Sequence, residues 1–338
     1  MSAPAPGVYS EEALAIADRL GLKRGRANLE VFAETLQELA EADQNVLVVT
    51  SDSRGSGKLK PFGEALPRQI VEVGIAEQNL VGVSAGLANA GKTVFAVSPA
   101  CFLATRSLEQ IKNDVCYSGM PVTLVGISAG VSYGALGSTH HSLHDYAALR
   151  AIHNVTVLAP ADNRETRAAV RWAATHDGPV YLRFGKAALY DLAGEPAPAD
   201  PREASVLRDG DDVALVATGE AVIHCLLAAE KLAADGVSAR VISSPSVKPL
   251  DADVLLAAGR ECRAVVAAEE HLVHGGLGDA VAALLLRSGE APAFASVAIP
   301  DEDTYTGSQA DIFLRYGLTM EGIAERAAAT LAAVGVTP

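Results

Sequence analysis

The stretch VEVGIAEQN, residues 71–79, joins two kinds of apolar periodicity. Ile70, Val71, Val73 and Ile75 form an extended apolar run, and apolar residues then return at helical spacing at Leu80, Val83 and Leu87. A glutamate, Glu77, stands where the buried strand would meet the helix. An exposed first-turn acid facing the helix dipole is one explanation. The apolar neighbours Ile75, Ala76, Leu80 and Val81 argue instead for a semi-buried carboxyl. Such a group needs a partner, and this is how proton-handling acids are made.

The same strand-then-helix unit recurs on both sides of this stretch. Upstream, residues 27–44 read as an amphipathic helix with Leu29, Phe32, Leu36 and Leu39 on one face, followed by the apolar run NVLVVTSD. Downstream, TVFAVS, PVTLVGIS, VTVLAP and PVYLRFG read as strands, with helices predicted over 102–115 and 163–175. Alternation of this kind implies an α/β fold built on a parallel sheet. DLAGEPAPADPRE, 191–203, lacks periodicity and reads as a linker. Beyond it the alternation restarts through DVALVAT, SARVIS, RAVVAAEE and FASVAIP, with predicted helices over 220–235, 251–259 and 276–288 and a last one from Met320. The expectation is a lead over 1–26, a first parallel-sheet domain over 27–190, a linker over 191–205 and a smaller second domain over 206–338.

Bulk properties narrow the function. The chain has 338 residues, 49% of them apolar and 20% charged, which fits two globular domains. Its formal net charge of −14 argues against nucleic acid or an anionic membrane as the main partner. Cys101, Cys116, Cys225 and Cys262 are scattered without a CxxC pair, as expected of free thiols in a reducing cytoplasm. The N-terminus lacks the pattern of a signal peptide, and no apolar run is long enough to span a bilayer.

Several motifs compete for attention. GLANAGKT, 86–93, satisfies the phosphate-loop pattern, but that chemistry requires a strand before the loop and a helix after it. Here the order is reversed, so Gly91 reads as a helix C-cap. HGGLGDA, 274–280, lacks a full GxGxxG and a strand running directly into it. STHHSLHD carries His140, His141 and His144. On a helix His140 and His144 would share a face, but only Asp145 stands near as a further ligand. Substrate handling is therefore preferred over purely structural histidines and, further behind, metal binding, and the Gly-rich approach GVSYGALGST suits a loop that comes close to a ligand. SDSRGSGK, 51–58, is either a phosphate-binding turn or a solvated one; its place after a buried strand favours a ligand site.

VEVGIAEQNLVGVSAGLANAGKTVFA closely resembles the pyrimidine-binding domain of transketolases. The resemblance continues through FLATRSLEQIKND, GISAGVSYGALGSTHHSLHDYAALRAI, VLAPAD and GPVYLRFGK. EEHLVHGGLGDAV and RYGLTMEGI resemble the transketolase C-terminal domain, so that about residues 27–335 are covered. No GDG and no Asn-Asn pair occurs, although these mark the family's diphosphate-binding domain. The resemblance is thus to the C-terminal subunit of a split transketolase. It implies thiamine diphosphate shared with an N-terminal subunit that binds the diphosphate through Mg2+ or Ca2+, and an assembly of two plus two chains. No metal ligand is expected in this chain.

Carried over by motif, the resemblance makes Glu77 the acid that hydrogen-bonds a ring nitrogen of the aminopyrimidine. Sharing that proton favours the tautomer whose exocyclic nitrogen deprotonates the thiazolium carbon. Phe102 matches the aromatic that stacks on the pyrimidine, and Asp52 and Ser53 fall in the cofactor-contacting loop. His140 matches the histidine that meets the donor's hydroxyl and carbonyl end. Ser56 and Lys186 match contacts to substrate phosphate, with lysine replacing the more usual, two-pronged arginine. Ser128 stands where the family has a histidine. The family's GEDGPTH is here GALGSTH, so Ala135 and Leu136 replace two acids, one of which meets a sugar hydroxyl. That change points to a branched, deoxy or otherwise modified sugar. Two rival readings keep the fold: a deoxyxylulose-phosphate synthase-like or 2-oxoacid dehydrogenase beta-type subunit, and a non-catalytic regulatory subunit.

Overall fold

The structure, a computed structural model, describes residues 7–192 and 197–335. The strands are β1 (Lys23–Ala27), β2 (Val46–Thr50), β3 (Ile70–Glu72), β4 (Thr93–Pro99), β5 (Val122–Ile127), β6 (Thr156–Leu158) and β7 (Val180–Phe184). They continue as β8 (Ala188–Asp191), β9 (Ser205–Arg208), β10 (Val213–Ala217), β11 (Ala239–Ser243), β12 (Ser246–Lys248), β13 (Ala264–Leu272) and β14 (Ala293–Ile299). Among the described residues they form a seven-stranded sheet ordered β12-β6-β7-β5-β4-β2-β3, a five-stranded sheet ordered β14-β13-β10-β11-β9, and a β1–β8 ribbon. The large sheet is parallel except for β12, and the smaller one is parallel except for β9.

Period-two alternation places residues of one strand in two cores. In β4, Phe95 and Val97 enter a core with Leu29, Phe32 and Leu36 of the helix Asn28–Ala42, while Val94 and Ala96 face the opposite core. In β10, Val213, Leu215 and Ala217 point one way, and Ala214 and Val216 the other. Both faces of each sheet are covered by helices, which is why these strands read as near-continuous apolar runs. Gly91 (φ 80°) closes the helix Glu77–Asn89: its N–H donates to Ala88 O and the Lys92 N–H to Leu87 O. β4 follows two residues later, so the phosphate-loop look-alike is a helix cap.

Several expectations need correction. The lead is not irregular throughout: Glu11–Arg19 is a helix capped by Ser10, and its Ala13, Ile16 and Ala17 enter the core of the second sheet. Residues 1–6 and 193–196, parts of the expected lead and linker, lie outside the described residues. The last linker residue, Ser205, opens β9. The chain does not divide cleanly at the linker either, because β12, from the second half, joins the first sheet by pairing with β6. The helix expected over 102–115 begins at Ala100 and breaks at Ser107, whose hydroxyl donates to Leu103 O at 2.7 Å. It resumes at Leu108–Gln110 and widens into the π-turns of Ile111–Tyr117. A strand does run into HGGLGDA: β13 ends at Leu272 and a helix starts at Leu277. Its N-terminus is capped by an internal carboxyl, since Glu269 accepts from Leu277 N–H (2.6 Å) and Gly278 N–H (2.8 Å).

Candidate active site

β3, β2, β4, β5 and β7 are neighbours in the large sheet, and each strand's carboxyl end leads into part of one site. Glu77 follows β3; Asp52, Ser53 and Ser56 follow β2; Phe102 follows β4; Ser128 and His140 follow β5; Lys186 follows β7. In an open parallel sheet this edge is where ligands bind. Among the described residues, four non-glycine residues have positive φ, and three of them lie in these loops: Asp52 (52°), Lys58 (59°) and Ser128 (54°). Each costs roughly 1–3 kcal/mol, and such residues collect at functional sites.

A chain of side-chain contacts runs along the site. Glu77 is 1% exposed, and its Oε2 accepts from Arg106 Nη1 at 2.7 Å. The Arg106 guanidinium lies 4.8 Å from the centre of the Phe102 ring. The ring of His140 meets Phe102 edge-on at 5.4 Å and Tyr133 edge-on at 5.4 Å. Lys186 Nζ then sits 3.7 Å above the Tyr133 ring. Glu77, Phe102, His140 and Lys186 are thereby brought together, linked by Arg106 and Tyr133. The latter two were missed by sequence reasoning. Arg106 had a local signal, being four residues after Phe102 on the same helix; for Tyr133 nothing in the sequence distinguished it from the rest of its loop.

The remaining predicted residues flank this chain. The hydroxyls of Ser128 and Ser56 stand beside the Tyr133 phenol, whose pKa is raised by burial. Ser56 Oγ donates to Ser53 O at 3.2 Å, and Ser53 Oγ to Ser51 O at 2.7 Å. The Ser53 hydroxyl is therefore buried and held by backbone, while Asp52 is exposed and its N–H donates to Glu72 Oε1 at 2.7 Å. Burial, then the nearby Lys58 ammonium, lowers the pKa of Lys186. Lys58 Nζ is itself paired with Glu30 Oε1 at 2.9 Å, whereas no carboxylate pairs with Lys186 among the described residues, which leaves Lys186 as the cation able to meet an anion in a chain of net charge −14.

The three histidines do not share a helix face. His140 and His141 lie in a turn, and His144 precedes the helix Asp145–Arg150. His141 is buried, and its Nε2 lies 2.8 Å from Gly134 O, so it shapes the loop. Among the described residues no group of three or more His, Cys, Asp or Glu side chains is placed to hold a metal. Leu136 is 55% exposed at the end of the turn Gly134–Leu136.

Behind the loop, buried Arg183 donates from Nε to Asp145 Oδ2 (2.9 Å) and from Nη2 to Ser142 O (3.2 Å) and Glu270 O (2.7 Å). Tyr181 donates to the same Asp145 oxygen at 2.8 Å. Burial acts to raise the Asp145 pKa, but Arg183, His271 and Tyr181 reverse this and hold it below the usual carboxylate range.

This arrangement fits an aromatic heterocycle with a ring nitrogen. Glu77 Oε1 carries no hydrogen bond from the described residues, and the Phe102 ring lies within the same cluster. The family description "Transketolase, pyrimidine binding domain" matches residues 25–191, and "Transketolase, C-terminal domain" matches 202–323. One subunit of the apulose-4-phosphate transketolase of Phocaeicola vulgatus is 43% identical over 297 residues, covering 88% of this chain and 95% of its own. The 1-deoxy-D-xylulose-5-phosphate synthase of Symbiobacterium thermophilum is 40% identical over 89% of this chain, which spans 46% of that enzyme. Among solved structures, a split-gene transketolase in the form of an inactive β4 tetramer superposes with a TM-score of 0.82 at 36% identity, over 91% of this chain and 99% of the other.

Proposed function

The chain belongs to the transketolase family, and from that membership we propose that it is the C-terminal subunit of a two-component transketolase. The assembly moves a two-carbon ketol unit from a ketose to an aldose. The observation that carries this reading is the buried Glu77 carboxylate, with one oxygen tied to Arg106, which itself lies against Phe102, and the other accepting no hydrogen bond from the described residues. The partner is an N-terminal subunit that grips the cofactor's diphosphate through Mg2+ or Ca2+, in an assembly of two plus two chains. Similarity to a transketolase subunit that this chain matches over 95% of its length supports a divided enzyme. The reading places the protein in the cytoplasm, in keeping with four buried free thiols.

Thiamine diphosphate, when bound, supplies the nucleophilic carbon and the electron sink for breaking a carbon–carbon bond. Glu77 holds a proton at a ring nitrogen of its aminopyrimidine, in a pocket dry enough for proton sharing to be effective. Phe102 packs on the heterocycle. Asp52 and Ser53 line the cofactor edge from a turn strained at Asp52, with the Ser53 hydroxyl held by Ser51 O. His140 orients the donor's hydroxyl and carbonyl end, held between the Phe102 and Tyr133 rings. Lys186 and Ser56, with Ser128 nearby, hold a phosphate or comparable anion at the far end of the sugar. Exposed Leu136 and Ala135 offer no hydrogen bond to a sugar hydroxyl, which favours a modified sugar phosphate.

The test mixes the chain with its diphosphate subunit, thiamine diphosphate and magnesium and follows ketol transfer from β-hydroxypyruvate to aldose phosphates. Transfer that disappears in Glu77→Ala supports the reading; full activity in that variant overturns the proton-holding role. The synthase-like reading is favoured instead if pyruvate is decarboxylated and no ketol is transferred. Cofactor binding without turnover of any donor would mark a regulatory subunit.

A further inference from the structure

The second half of the chain contributes two buried carboxyls and a half-buried amide that press on the site from behind. Gln309, at the start of the helix Gln309–Tyr316, donates from Nε2 to Glu220 Oε2 (2.8 Å) and to Glu270 Oε1 (2.9 Å). Glu270 Oε1 also accepts from the Val131 N–H at 2.9 Å. Two glycines exist because of these carboxyls. A Cβ on Gly130 (φ 61°) would lie 2.1 Å from the Glu270 carboxyl, and one on Gly185 would lie 1.6 Å from Glu220 Oε1. Gly130 is two residues from Ser128, and Gly185 immediately precedes Lys186. The same side of the loop meets the segment before Gln309, since a Cβ on Gly134 would lie 2.9 Å from Gly307 O.

Burying two carboxyls is expensive, and an apolar filling would serve packing better. What the carboxyls add is direction: a fixed acceptor for Val131 N–H and a shaped filling under Gly185. We infer that Glu220, Glu270 and Gln309 are positioning residues for the sugar-phosphate end of the site, anchoring the loop that bears Ser128, Tyr133 and His140 and the turn that bears Lys186. None of the three touches the Glu77–Arg106–Phe102 end. Their first effect is therefore on sugar handling, with the cofactor end reached only through the edge of the His140 ring on Phe102. This inference rests on the transketolase reading for its kinetic part and on geometry alone for its structural part. Burial, and then the charge of each upon the other, raises the pKa of Glu220; burial also raises that of Glu270. A proton held by the pair lets both carboxyls accept from one amide.

The experiment uses Gln309→Ala, with Gly185→Ala as a second variant that removes no hydrogen-bonding group. Amide hydrogen exchange on the full chain is expected to accelerate at least about tenfold over 129–134 in Gln309→Ala, with β4 unchanged. In the assembly, with β-hydroxypyruvate as donor, the KM for glyceraldehyde 3-phosphate should rise about tenfold in both variants, kcat should change less than about threefold, and thiamine diphosphate affinity should hold. Glu270→Gln, which keeps an acceptor for Val131, should exchange more slowly over 129–134 than Glu270→Ala. Unchanged exchange over 129–134 in Gln309→Ala, or a cofactor affinity that falls in step with KM, overturns the inference. Exchange is read whether or not the assembly turns over sugars. A loop that loosens in an assembly with no ketol transfer counts against the proposed activity and leaves the anchoring standing.

Discussion

Glu77→Gln separates a functional carboxylate from a structural one, because the two roles predict opposite combinations of activity and stability. The substitution keeps the shape and leaves an amide oxygen that can still accept from Arg106, but it removes the negative charge and with it the ability to hold a proton on a ring nitrogen. Loss of a positioned acid or base costs about 10²–10⁴ in rate, equivalent to roughly 3–5 kcal/mol of barrier. Stability should barely move. The Arg106 side chain is 46% exposed, so its bond to Glu77 is partly screened and worth on the order of 1 kcal/mol or less. Relief from burying a carboxylate at 1% exposure acts in the opposite direction. The expected outcome is a fall of at least about 100-fold in kcat/KM, with a melting temperature within about 3 °C of the parent. Coupled ketol-transfer kinetics in the reconstituted assembly and a thermal melt of the chain measure the two quantities. A drop of many degrees accompanied by only a modest loss of rate would refute the argument and make Glu77 a structural ion-pair partner.

Other consequences can be checked in the same preparations. Lys186→Ala should raise the KM for a phosphorylated acceptor about tenfold or more, with a smaller change for glycolaldehyde, which lacks a phosphate; equal effects on both would remove Lys186 from the anion site. Arg183→Met leaves Asp145 buried without its cation and should cost about 3–5 kcal/mol in a urea titration; a cost under about 1 kcal/mol would contradict the ion-pair geometry. Stability should also fall as pH rises from 6.5 to 8. Burial raises Glu165 and Glu269 to about 7, so the folded state holds protons that the unfolded chain has already released, and the linkage slope is negative there. The buried histidines His224 and His271, lowered by burial to about 4, give the opposite slope, but theirs fades above pH 6.5 as the unfolded imidazoles lose their protons, while Glu220, raised to about 8, adds to the fall. A melting temperature that climbs across this window would show that these acids are not buried as described.

Much of the first sheet was legible because parallel strands covered on both faces leave continuous apolar runs: β2, β5 and β7 fall within their predicted runs, and β4 runs one residue past its own, to Pro99. Short or weakly patterned elements were not. β12 is three residues long and pairs with a strand nearly ninety positions earlier, a contact that no local pattern encodes. The break at Ser107 arises from one side-chain hydrogen bond inside an otherwise helical sequence. At the site, Glu77 stood out because a charge interrupted an apolar junction, and the family motifs located Phe102, His140 and Lys186. Arg106 and Tyr133 have roles visible only once the loops after β4, β5 and β7 are side by side. Glu220 and Glu270 were hidden for a similar reason: each is an ordinary acid in the sequence, and only the glycines opposite them reveal what they fill.

The crossing of β12 has a bearing on how this protein can be cut or rearranged. A protease nick in the expected linker would break one covalent bond and leave the two pieces clasped, because Ser246–Lys248 remains hydrogen-bonded along β6. Removing everything after residue 205 would strip that cover and leave β6 as a raw border, open to pairing with a neighbouring molecule. Any recombination that exchanges the C-terminal half must therefore bring a matching β12 with it, so that the two halves are inherited, and melt, together.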